Sequence, residues 1–114
     1  MIDWLANTDA EVTFVGAAVN LIPSLSSLTT SNDVTVVFCD RRHGEECGGS
    51  CTTRTVPSGT CIKAPGTECL SATSNVLFCD ESNCKGSCHQ FAKCGHRLKG
   101  GFCSTPGTDS IDVL

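Results

Sequence analysis

The residues with the most capacity for chemistry are ten cysteines, Cys39, Cys47, Cys51, Cys61, Cys69, Cys79, Cys84, Cys88, Cys94 and Cys103, in a chain of 114 residues. Cysteine thiolates can hold zinc, act as nucleophiles or pair into disulfides, and spacing helps to separate these roles. Structural zinc sites favour Cys-x2-Cys knuckles, whereas the tightest pairs here, Cys47/Cys51 and Cys84/Cys88, have three residues between them. A cysteine nucleophile needs a free thiolate, which an even count in an oxidising compartment does not suggest. Ten cysteines make up about nine per cent of the chain, the density of a disulfide scaffold in a secreted protein. All ten are therefore expected to be bridged, and the protein is expected outside the cell.

A second set of groups could bind a ligand. Residues 85–108 carry Lys85, Lys93, Arg97 and Lys99 with no acid, together with His89 and His96, whereas residues 1–40 carry five acids and no base. Arg and Lys donors of this kind can hold a sulfate, sialic acid or phosphate, and His89, Lys93, His96 and Arg97 are the candidate ligand contacts. The structural alternative is that this basic stretch faces the acidic first third, within the chain or across a dimer.

Other candidate chemistry has simpler accounts. Asp40, His43, Glu45 and Glu46 read as a solvated loop, so no metal and no cofactor is expected. There is no Gly-x-Ser-x-Gly elbow, Ser50 and Ser87 lie between cysteines, and the adjacent Asp80 and Glu81 would point to opposite faces of a strand. The expectation is a non-catalytic protein. A net charge of −4, with no aromatic interleaving beyond Phe91 and Phe102, argues against nucleic acid.

What must position these residues is a duplicated stretch. Val36-Val37-Phe38-Cys39-Asp40 is written again as Val76-Leu77-Phe78-Cys79-Asp80. Cys47-Gly48-Gly49-Ser50-Cys51 is matched by Cys84-Lys85-Gly86-Ser87-Cys88, and Pro65-Gly66-Thr67 by Pro106-Gly107-Thr108. The reading is one domain over residues 1–114: a cysteine-free segment 1–33, then two cysteine-rich copies at 34–73 and 74–114. Each copy holds five cysteines, an odd number, so full pairing requires at least one bridge between copies. Five Phe, one Trp, one Met and no Tyr make a thin core, so bridges worth ~2–4 kcal/mol each should decide folding.

The expected fold is small, disulfide-rich α+β: mainly a short antiparallel β-sheet with one short N-terminal helix. Thr8-Asp9-Ala10-Glu11 fits a capping box, yet Glu11-Val12-Thr13-Phe14 alternates with period two and is rich in β-formers. Gly16 would weaken a helix interior, so a strand is predicted at 11–15 and any helix at 17–22, before Pro23. Strands follow at 34–39 and 50–56, with a charged loop between them. A short extended piece is expected at 61–63, a turn at Ala64-Pro65-Gly66-Thr67, and the second copy opens at 75–79. Lys99-Gly100-Gly101 reads as a hairpin tip and residues 110–113 as a closing strand. Residues 12–28 are interrupted by Asn20 and Pro23, which fits neither a signal peptide nor a membrane span, so a mature chain with a recombinant Met1 is expected.

Phe-Cys-Asp, Cys-x-Gly-Ser-Cys, Ala-Pro-Gly-Thr-x-Cys-Leu, Asn-Val-x-Phe-Cys-Asp and Gly-Phe-Cys-x-Thr-Pro-Gly-Thr resemble motifs of the small secreted cysteine-rich proteins of basidiomycete mushrooms. The likeness covers residues 34–111. Within that group the chain is similar in size to the ink-cap mushroom LacdiNAc-binding lectins, which implies an αβββ fold, a glycan or glycoprotein partner and a dimer formed through edge strands. A lectin-like secreted binding protein of fungal defence is the first functional expectation. A wall or fruiting-body structural protein without a ligand site is the second, and a protease inhibitor presenting Arg41-Arg42 is the third. Self-association is expected because Val12, Phe14, Val15, Val19, Leu21, Ile22, Leu25 and Leu28 crowd one bridge-free segment, and a strand at 11–15 or 34–38 left at a sheet edge would present unpaired backbone groups.

Overall fold

The computed structural model describes residues 33–114 throughout and the strand backbone of residues 11–15. Among these residues eight strands form one sheet: β1 (Glu11–Val15), β2 (Asp33–His43), β3 (Glu46–Pro57), β4 (Cys61–Ala72), β5 (Val76–Cys79), β6 (Cys88–Gln90), β7 (Arg97–Leu98) and β8 (Phe102–Val113). Their order across the sheet is β1-β3-β2-β4-β8-β5-β6, with β7 also paired to β8. Every pairing is antiparallel except β1 on β3, which is parallel.

Over the described residues the α+β expectation is therefore corrected to all-β. Among the described residues the helical pieces are three-residue 3-10 turns at Ser82–Cys84, Phe91–Lys93 and Lys99–Gly101. The N-terminal segment contributes β1 at the expected position, where a ladder with β3 outweighs the weak drive of an isolated few-residue helix. The helix expected at 17–22 lies outside the described residues.

Strand alternation sorts the side chains. One face gathers Val34, Val36, Val56, Ile62, Ala64, Leu70, Val76, Ile111 and Val113, with Phe38, Ala72, Phe78 and Phe91 partly buried at its margin. The other face carries most of the bridges. Cys39–Cys51 joins directly opposed residues of β2 and β3, and Cys79–Cys88 does the same for β5 and β6. Cys47–Cys69 ties β3 to β4, Cys61–Cys84 ties β4 to the first 3-10 turn, and Cys94–Cys103 closes the loop before β8. All ten cysteines are paired, and Cys61–Cys84 is the link between residues 39–69 and 79–103 that the odd counts require.

The register repeats itself across the β4–β8 pair. Cys51, Cys39, Cys69 and Ser104 lie in a row over β3, β2, β4 and β8, and Cys88, Cys79, Ser110 and Lys63 lie in a row over β6, β5, β8 and β4. Thr67 and Thr108 face each other between these rows. The Pro-Gly-Thr stretches, expected to turn the chain, are bulges inside two twelve-residue strands. β8, expected as a short closing strand, is central. So is β2, which removes residues 34–38 as an edge and leaves β1 at that end of the sheet.

Candidate functional site

The candidate ligand contacts lie in and just after β6, the strand at the far end of the sheet from β1. Asn75, just ahead of β5, pins this region. Its Oδ1 accepts the Ala92 N–H at 2.8 Å and its Nδ2 donates to Gln90 Oε1 at 3.4 Å, which fixes the Phe91–Lys93 turn against the hairpin. Phe91 packs half-buried against the aliphatic face. Arg97, from β7, lies over that ring with its guanidinium carbon 4.8 Å from the centroid, and its Nη2 donates to the Phe91 carbonyl at 2.9 Å. One hydrogen bond and one cation–π contact thus hold an exposed guanidinium in place with donors remaining. On the neighbouring hairpin His89 sits opposite Phe78, ring centroids 5.7 Å apart and planes tilted by 38°.

Three of the four sequence-derived contacts, His89, Lys93 and Arg97, are exposed on the segment that Asn75 anchors. His96 is engaged elsewhere. Its Nε2 lies 3.2 Å from Glu45 Oε1, with both side chains more than half exposed at 51% and 57%. A pair this solvated adds little stability. The Lys99 N–H also donates to the Glu45 carbonyl at 2.9 Å, so the β2–β3 hairpin tip docks beside β7. Asn75, Phe78 and Phe91 were not singled out as ligand contacts in the sequence. The available signal was Asn75 at the head of the Asn-Val-x-Phe-Cys-Asp stretch, just before the second copy of the repeated strand, a residue type that often organises a turn.

The other sequence candidates are used structurally. Asp40 Oδ1 accepts the Ser50 N–H and Asp80 Oδ1 accepts the Ser87 N–H, each at 2.8 Å. Among the described residues no three His, Cys, Asp or Glu side chains gather to hold a metal. Arg41 and Arg42 belong to a paired hairpin, opposite Gly48 and Cys47, and Arg42 Nη1 donates to Ser104 Oγ at 2.8 Å. They lie in paired strand, where the sequence suggests a charged loop. No described helix is long and apolar enough to cross a membrane, and five disulfides fit an oxidising environment.

No family model, curated protein or solved structure matches the chain.

Proposed function

We propose that this is a secreted, non-catalytic binding protein whose ligand is a glycan, held at the β6 end of the sheet. The observation that carries this reading is the Arg97 guanidinium fixed over Phe91 beside the Phe78–His89 ring pair, on a segment pinned by Asn75. Sugars are bound by flat surfaces against their C–H faces and by oriented donors and acceptors around their hydroxyls, and this end of the molecule offers both. The disulfide framework holds that surface before ligand arrives, which limits the ordering cost of binding. The resemblance of the cysteine motifs to secreted mushroom proteins supports the same reading. The halves read as two copies of one strand-hairpin unit, of which the second has become the binding end. A glycan array on the oxidised protein tests the proposal, followed by Arg97→Ala. The substitution is expected to weaken the best ligand by ~1–3 kcal/mol, the worth of a charge-assisted bond, with circular dichroism unchanged. Full retention of affinity in Arg97→Ala and His89→Ala together would move the site elsewhere.

The same reading includes a homodimer. Among the described strands β1 ends the order; it is five residues long and carries neither Lys nor Pro, the residues that commonly block edge pairing. Sedimentation of the oxidised protein at micromolar concentration is expected to give about twice the chain mass of 11.9 kDa. A single species at the chain mass would end the dimer reading.

A further inference from the structure

The five bridges differ in what a reductant can reach. Cys39, Cys51, Cys47 and Cys69 are buried, so two bridges are enclosed at both ends. Cys79 and Cys103 are also buried, so two more are enclosed at one end. Cys61–Cys84 has neither end buried: Cys61 is exposed and Cys84 is half-buried. Thiol–disulfide exchange needs a thiolate to approach a sulfur, so access ranks this bridge first. The backbone at Cys84 supports the ranking. Asn83 and Cys84 have φ of 60° and 59°, and among the described residues they are the non-glycine positions with positive φ. Such a conformation persists where its surroundings hold it. Here the holders are the bridge to Cys61, the Cys84 N–H donated to Ser110 Oγ at 2.8 Å, and the Ser110 hydroxyl donated to the Glu81 carbonyl at 2.5 Å.

We propose that Cys61–Cys84 is a reducible clasp, opened ahead of the other four bridges by a dithiol reductant, and that opening it frees residues 82–86 while the sheet stays folded. One thiolate of the reductant attacks the Cys61 sulfur, forming a mixed disulfide and expelling Cys84 as a thiolate that takes up a proton. The second thiol of the reductant then displaces Cys61, so the reductant ends as its own disulfide and both cysteines end as thiols. The sheet does not depend on this bridge. β4 remains paired with β8 through Ile62↔Ile111, and β5 with β8 through Phe78↔Ile111. The base of the freed loop is held by Cys79–Cys88, by the Asp80 N–H donated to the Ser87 carbonyl, and by the Ser87 N–H donated to Asp80. Opening the clasp removes the one disulfide between the halves and releases the strained pair.

Graded dithiothreitol on the native protein, quenched with iodoacetamide and mapped by peptide mass spectrometry, tests the order. Cys61 and Cys84 are expected to be alkylated together, at least tenfold faster than any other pair. Faster opening of another bridge, or simultaneous opening of all five, overturns the proposal. The double variant Cys61→Ser/Cys84→Ser tests the consequence. It is expected to keep four bridges and to show at least tenfold faster amide exchange at residues 82–86 with the strands unchanged. Unchanged exchange there, or faster exchange throughout the sheet, overturns it.

Discussion

An added methyl at Gly86 would run into the Asp80 carboxylate and come within 2.7 Å of Glu81 Oε2, and the residue also holds φ +80. Gly49 repeats this construction at φ +82, with Asp40 Oδ1 at 2.5 Å from the same hypothetical atom. In both hairpins the aspartate after the cysteine turns back to accept a serine amide, and the glycine before that serine leaves room for it. Gly59 is the control: its φ is +89 but nothing lies within 4 Å. Gly59→Ala is expected to lose ~1 kcal/mol from the left-handed backbone alone, whereas Gly86→Ala should lose that and a further ~1–3 kcal/mol for displacing Asp80. Guanidinium unfolding of the oxidised variants measures both, and equal losses would mean that the carboxylate moves aside freely. The sequence showed the glycine of Cys-x-Gly-Ser-Cys repeated in both copies. It hid the partner, because Asp80 lies six positions from Gly86 and only the folded hairpin brings them together.

At the scale of elements, the Pro-Gly-Thr stretches show where local signals lose to pairing. Pro and Gly in sequence mark a turn, yet β4 and β8 pass through them as bulges because each strand is held on both sides, β4 between β2 and β8 and β8 between β4 and β5. The threonine closes each bulge. Thr67 Oγ1 donates to the Ala64 carbonyl and Thr108 Oγ1 to the Thr105 carbonyl, both buried and both at 2.8 Å. Thr105 itself differs, since its buried hydroxyl has no partner. Replacing a bonded hydroxyl strands its acceptor, while replacing an unbonded one removes a desolvated group. Thr108→Val is therefore expected to destabilise by ~1–3 kcal/mol, and Thr105→Val to be neutral or to stabilise by up to ~1 kcal/mol. Denaturation midpoints of the two variants decide it, and a loss in both would show that the Thr105 hydroxyl is satisfied in solution. The strands at 11–15, 34–39 and 50–56 were legible because β-branched residues concentrate there. The length of β4 and β8 was not, because it comes from partners distant in sequence.

At the scale of the molecule, the described strands form one sheet with a pseudo-two-fold register. Taking Thr67 and Thr108 as equivalent, exchange of the two strands turns the pair Ile62↔Ile111 into Leu70↔Cys103, and Lys63↔Ser110 into Cys69↔Ser104. Cysteine parity revealed that the halves are joined, but not that their joint is the middle of the sheet. One difference between halves follows from the same register. Cys69 is bridged to Cys47, whereas the matching Ser110 uses its hydroxyl on Cys84 N–H and the Glu81 carbonyl, leaving Cys84 to reach across to Cys61. Since Ile62, Leu70, Ile111 and Val113 all lie in one buried cluster, neither half has a core of its own among the described residues. Unfolding of the oxidised protein should then be a single transition, with calorimetric and van't Hoff enthalpies equal. Ile111→Ala removes buried methyl groups from the shared cluster and is expected to cost ~2–5 kcal/mol while lowering that one transition intact. Two separated transitions in the variant, one near the original temperature, would mean that each half carries its own stability and that the β4–β8 joint is not what makes them one body.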